Sequence, residues 1–208
     1  MGLHERRIKE KDNRKKLILK SARTLFFKKG FNKVTVDEIA KISELGKGSI
    51  YLYFNSKEEI YAQILLNDID NFYQIASVLF EKKGSALELL EEFSTIYVDF
   101  FLNEGELFRI LMTFMLHPDR MNLSKELNAR ILEANARSID IIGKILEKGV
   151  ESGEFSPQIN IRQNQNAIWG LLNGVVSLFI FFGSKERRKD KINATIKSAL
   201  EVFVKGLK

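Results

Sequence analysis

Residues 35–54 constrain the fold more than any other part of the chain: two short helical segments are joined there by a four-residue turn. Thr35 and Glu38 stand three apart ahead of an apolar step. This is the spacing of a capping box, in which each side chain satisfies an orphan backbone donor of the first turn. Ile39, Ala40 and Ile42 then face inward, and Ser43, Glu44, Leu45 and Gly46 read as the turn. The second segment, residues 47–54, places Ile50 and Phe54 at i and i+4 on its inner face. Lys47, Ser49, Tyr51 and Tyr53 are left outside, all able to hydrogen-bond phosphates or base edges, and Gly48 lets the backbone approach a ligand closely. The spacing is that of a helix-turn-helix, whose second helix lies in the major groove of DNA.

The rest of the chain is helical by period, and the expected class is all-α. Only two prolines, Pro118 and Pro157, interrupt 208 residues. A first helix is expected over 14–29, with Ile18, Ala22, Leu25 and Phe26 as one apolar stripe and Gly30 as a left-handed stop. Arg6, Arg7, Lys9 and Lys11 precede it, as a flexible arm on DNA or as a disordered, solvated tail. Further helices are expected over 56–80, 85–103, 106–116 (ended near Pro118), 124–152, 161–182 and 188–206, making nine in all. The apolar run 167–182 has about 16 residues, short of the ~20 that cross a bilayer, and Asn173 and Ser177 interrupt it. A buried helix is expected there and no membrane partner.

The net charge of +6 is unevenly spread. Residues 1–57 carry 15 Lys and Arg against 6 Asp and Glu, a net of +9, while residues 58–208 carry 18 against 21, a net of −3. One end of the molecule therefore suits a polyanion. The absence of cysteine excludes disulfides, thiol nucleophiles and cysteine-held metals. His4 and His117 have no carboxylate or second histidine at metal-ligand spacing, and no Gly-rich phosphate loop or nucleophile elbow occurs. No catalytic activity, metal or cofactor is expected. No apolar run follows the basic N-terminus as in a secretory signal, and the absence of cysteine fits a cytoplasmic protein.

Residues 18–60 resemble the DNA-binding domain of the TetR/AcrR family of bacterial regulators. The resemblance runs through Ile18, Ala22, Leu25, Phe26, Gly30, Phe31, Thr35, Ile39 and Ala40, then Lys47, Gly48, Tyr51, Tyr53, Phe54, Ser56, Lys57 and Glu58. It implies a DNA-binding domain over 1–57 and a helical ligand-binding and dimerisation domain over 58–208. It also implies phosphate contacts from Thr35, Tyr53 and Lys57. The turn departs from the family's usual Gly-Val-Ser order, since Glu44, Leu45 and Gly46 occupy it. A residue other than glycine at position 44 must adopt a left-handed backbone or bend the turn differently.

The body is rich in aromatic and Met side chains. Tyr97, Phe100, Phe101, Phe108, Met112, Met115 and Trp169, with Phe93, are either plain core or the walls of an apolar cavity, with Asn173 and Gln165 as polar groups in it. Gly170 and Gly174 leave room for a second helix to approach. The resemblance implies that the last two helices pair with those of a second copy, with Ile196, Leu200 and Phe203 contributing. The function expected is a repressor that releases a palindromic double-stranded operator when a small apolar or amphipathic effector binds the body. The competing readings are a helical enzyme or lipid-binding protein whose basic end aids solubility, and a membrane-surface protein built on the basic first helix. The first leaves the pattern from Thr35 to Lys57 unexplained, and against the second the apolar face of that helix matches the core positions of the family it resembles.

Overall fold

A computed structural model describes residues 2–103, 105–116, 123–182 and 188–208; His117 and Pro118 lie outside them. Among the described residues the chain forms nine α-helices and no strand: α1 Leu3–Lys29, α2 Val36–Ile42, α3 Lys47–Tyr51, α4 Lys57–Ala76, α5 Ala86–Asn103, α6 Gly105–Leu116, α7 Lys125–Glu151, α8 Ile161–Phe182 and α9 Arg188–Lys205. Two short 3₁₀ turns, Phe31–Lys33 and Ser77–Phe80, follow α1 and α4. The all-α expectation holds. The helices form two compact units, Met1–Asp68 with Ile110–Ile131, and Ile69–Arg109 with Leu132–Lys208.

In the first unit α1 packs on α2, and α2 on α3. The expected stripe of Ile18, Ala22, Leu25 and Phe26 is buried, with Ile39, Ala40, Ile50, Phe54 and Ile60 beside it in the core. Tyr61 of α4 meets Phe26 edge-on at 5.1 Å and Phe31 at 4.6 Å, and Arg23 donates to Asp68, so α4 is tied to α1 by rings and by charge. Gly30 ends α1 at φ +77°, its N–H on the Phe26 carbonyl at 2.8 Å. Its ψ of 153° is extended rather than left-handed helical, and a side chain would strain it.

Three expectations need correction here. Helix α1 begins at Leu3, not Arg14, so Arg6, Arg7, Lys9 and Lys11 are helical rather than a flexible arm. No apolar stripe announces this extension. It is held by Glu10–Arg14 at 2.6 Å, Asp12–Lys16 at 2.8 Å and the Glu5 carboxylate closing on the Gly2 N–H at 2.9 Å. The helix from Lys47 stops at Tyr51 rather than Phe54, because the Tyr53 and Phe54 N–H groups both turn back to the Ile50 carbonyl at 3.0 Å. Ile42 is exposed, not inward.

In the second unit α9 lies against α5 and α8, with Ile192, Ile196, Leu200 and Val204 buried along one face. Phe72, Phe93, Tyr97, Phe101, Phe108 and Trp169 form a continuous aromatic core. Each such ring contributes about 1.5–3 kcal/mol by leaving water. Ser85 and Glu88 cap α5 reciprocally at 2.8 and 3.3 Å, as their spacing predicts. The Glu154 carboxylate accepts from the Ala86 N–H at 2.9 Å. Gly149 is there because a Cβ would run into the Phe155 ring and Ala86.

Candidate nucleic-acid interface

The first unit's exposed face is assembled by small, local devices. Thr35 stands before α2 in extended conformation; its hydroxyl accepts from the Glu38 N–H at 3.3 Å while the Glu38 carboxylate accepts from the Thr35 N–H at 2.9 Å. Lys29 reaches Glu38 at 2.6 Å, locking the end of α1 to the start of α2. Hydrogen bonding from Lys29, then from the Thr35 backbone, holds the Glu38 carboxyl below the usual range, so this junction weakens only as acid protonates it.

The turn is closed from inside. Ser43 is buried and donates to the Ile39 carbonyl at 2.8 Å, and the Leu45 N–H returns to Ala40 at 3.0 Å. Glu44 takes φ +54°, the left-handed backbone that glycine would adopt without strain. Of the two alternatives open at this position, the chain keeps the turn and bears the local strain.

Helix α3 is five residues long and anchored by Ile50 alone among its own side chains, with Phe54 just beyond it. Lys47 and Gly48 are exposed and Ser49 is half-buried. Among the described residues no atom lies within 4 Å of where a Gly48 Cβ would stand. Lys47 pairs with Asp37 at 2.8 Å, and that bond raises its pKa. Such an exposed pair is weak, about 0–1 kcal/mol, and a phosphate can replace the carboxylate. Tyr51 is 47% exposed, while Tyr53 is half-buried and lies past the helix end. Lys57 donates to the Phe31 carbonyl at 3.0 Å and holds its ammonium 4.3 Å from the Phe31 ring, so it braces the fold as well as carrying charge.

Leu52, passed over in the sequence, is 79% exposed at the end of α3. Its register gave the signal: two residues from both Ile50 and Phe54, it cannot share their inner face. An apolar side chain beside hydrogen-bonding ones suits a thymine methyl group.

In the second unit the expected ligand residues are brought together only in part. Tyr97, Phe100, Phe101, Phe108 and Trp169 pack ring to ring, and the Tyr97 hydroxyl donates to Asn173 Oδ1 at 2.7 Å. Burial raises the Tyr97 pKa well above its ordinary value, so the hydroxyl stays protonated and donating. Asn173 also donates to the Trp169 carbonyl at 2.8 Å. Gln165 lies against Gly143 instead, and Met112 and Met115 belong to the first unit.

The proposed pairing face also needs revision. Ile196 and Leu200 are completely buried within one chain, so they hold α9 in place and are not available to a second copy. Phe203 is half-buried. Among the described residues, Gly170 and Gly174 lie open, with no described atom within 4 Å of either added Cβ, as do Leu178 on the same face of α8 at 60% exposure and Val202 of α9 at 68%.

Comparison with known proteins agrees with this arrangement. Residues 18–64 match the family described as bacterial regulatory proteins, tetR family, and residues 119–206 match the C-terminal region of YsiA-like proteins. The chain is 26% identical over 200 residues to the fatty acid metabolism regulator protein of Bacillus subtilis, covering 96% of this chain and 98% of that one. It is 28% identical over 155 residues to the HTH-type transcriptional repressor NicS of Pseudomonas putida, covering 74% and 72%. The fold is shared with the crystal structure of the transcriptional regulator FadR from Bacillus subtilis in complex with stearoyl-CoA: TM-score 0.74, 24% identity, 92% of this chain and 98% of that one.

Proposed function

The chain belongs to the tetR family of bacterial regulatory proteins, and from that premise we propose that it is a dimeric, cytoplasmic repressor of transcription released from its operator by a long-chain acyl compound. DNA binding is assigned to residues 1–57, and dimerisation and effector binding to residues 58–208. The observation that carries the reading is the surface built on α2 and α3: Thr35, Lys47, Gly48, Ser49, Tyr51 and Leu52 are outward or half-outward around a short helix fixed by Ile50 and Phe54.

Thr35, Tyr53 and Lys57 serve to position the duplex through its phosphates, whereas Lys47, Ser49 and Leu52 read base edges. The effector class is supported by the aromatic core around Tyr97 and by the stearoyl-CoA that the Bacillus subtilis relative binds. Within residues 58–208 the buried carboxylate among the described residues is that of Asp68, and it is already engaged by the Arg23 guanidinium. This favours an acyl chain over a lipophilic cation.

Coupling is a population shift. The effector must bind the DNA-free state more tightly, since equal affinity for both states moves nothing. Helix α4 carries residues of both units, the division falling between Asp68 and Ile69, and is the lever in this scheme.

Two substitutions separate positioning from reading. Lys57→Ala is expected to weaken binding to all duplexes alike and to flatten the salt dependence by about 0.9 unit for each phosphate no longer neutralised. Ser49→Ala is expected to change which bases are preferred, with penalties of about 1–3 kcal/mol at the affected position and little change in slope. Titrations of matched and mismatched duplexes at several salt concentrations check both. An unchanged slope in Lys57→Ala would remove the phosphate assignment.

A further inference from the structure

The N-terminal third of α1 has no core to explain it. All described side chains from His4 to Arg14 are exposed, yet the helix continues unbroken to Leu3. Its charges are ordered. At 100° per residue, Arg7, Lys11 and Lys15 recur every fourth residue on the face that further along buries Ile18, Ala22, Leu25 and Phe26. The stripe that holds α1 against the helix-turn-helix thus continues beyond the core as a basic row.

Lys15 marks where the change occurs. It is half-buried, with its ammonium 5.6 Å from the ring of Phe54, the residue that anchors the end of the recognition segment. Lys11 and Arg7 lie one and two turns beyond it. At a rise of 1.5 Å per residue the row extends about 12 Å from Lys15 to Arg7. The acidic residues of this stretch are engaged elsewhere: Glu10 with Arg14, Asp12 with Lys16, Glu5 with the Gly2 N–H. Arg7 and Lys11 have no acidic partner among the described residues. Arg6 and Lys9 lie on the opposite face.

We propose that Arg7 and Lys11 form a helical clamp on the DNA backbone, gripping phosphates that flank each half-site outside the reach of α3. The proposal rests on the DNA-binding reading above. Charge complementarity and continuity with the recognition segment select the occupant: the row starts at Lys15, beside Phe54, and an extended polyanion lying against α3 carries the opposite charge. Because the helix is formed beforehand, the basic groups do not lose the freedom that a flexible arm loses on binding.

The test uses the full chain and its selected operator in two lengths, one trimmed to the half-sites and one with about ten further base pairs, one helical turn, on each side. Arg7→Gln with Lys11→Gln is compared with Arg6→Gln and Lys9→Gln, which removes the same charge from the other face. Glutamine keeps helix propensity close to that of Lys and Arg, and circular dichroism verifies the helix. On the long duplex the Arg7/Lys11 variant is expected to bind at least about tenfold more weakly at physiological salt. Its salt slope should be shallower by about 0.9 unit for each phosphate it no longer grips. The Arg6/Lys9 variant should stay close to wild type, and trimming the duplex should abolish the difference. Equal losses in both variants, or an unchanged slope in the Arg7/Lys11 variant, would overturn the clamp while leaving operator binding by the wild type intact. Wild-type protein that binds neither duplex would overturn the DNA-binding reading itself, and the clamp with it.

Discussion

Replacing Gly174 with leucine is expected to leave the folded chain intact and to separate the proposed dimer. Among the described residues no atom lies within 4 Å of the position a Cβ would occupy, and Gly174 is exposed, so the added side chain starts out into open space. Within a helix leucine also has the higher intrinsic propensity, by somewhat less than the ~0.8–1 kcal/mol that separates alanine from glycine. The added volume matters only to a second copy closing over Gly170, Gly174 and Leu178. A two-fold protein matches two half-sites, and severing the link between the two binding modules lowers overall affinity by about 10²–10⁴. Sedimentation at micromolar concentration should show monomer where wild type shows dimer. Operator affinity should fall by at least about a hundredfold, with helix content unchanged. A leucine variant that stays dimeric and binds as before would place the pairing surface elsewhere.

Long-chain acyl-CoA is expected to have the second large effect, dissociating the operator complex. Switching the equilibrium from 99:1 to 1:99 needs about 10⁴-fold preference for the DNA-free state, so a true effector shifts operator affinity by orders of magnitude. Trp169, the chain's single tryptophan, packs 5.2 Å from Tyr97, so its emission reports directly on the aromatic core. Acyl-CoA should change that emission over the same concentrations that release DNA, and short-chain acyl-CoA should do neither. Because burial keeps the Tyr97 hydroxyl protonated, the response should not vary with pH through titration of that group between about 6 and 9, below the ordinary tyrosine range. A change in emission without release of DNA would break the proposed coupling, and release of DNA by a lipophilic cation alone would replace the effector class.

Where apolar periodicity is the force that makes a helix, the sequence was a sufficient guide. Helix α8 runs from Ile161 to Phe182 as its apolar pattern predicts, and Ile18, Ala22, Leu25 and Phe26 are buried as their spacing requires. The first third of α1 was missed for the converse reason. Its stability comes from ion pairs four residues apart and a closed first turn, and these leave no apolar signature. The end of α3 was misplaced because Phe54 keeps helical spacing from Ile50 while the backbone between them has already turned.

The pairing face shows a different limit. Periodicity identified the apolar side of α9 correctly, but cannot say whether that side meets its own chain or another. Ile196 and Leu200 turned out to meet their own. On the surface proposed to meet DNA, residue types and spacing placed Lys47, Gly48, Ser49 and Tyr51 on α3 and Thr35 at the cap of α2. The partners of Lys47 and Lys57 were not legible, since Asp37 lies ten residues from one and Phe31 twenty-six from the other.

The central claim is that the surface around α3 reads DNA as one half of a two-fold pair. Selection of bound duplexes from a random pool by the purified full-length protein tests it most directly. The account predicts enrichment of one sequence family with inverted symmetry, its half-sites centred about 34–36 Å apart or a multiple of that spacing, and lost from the pool when Gly174 is leucine. A pool with no enriched sequence, or one enriched without inverted symmetry, would contradict it.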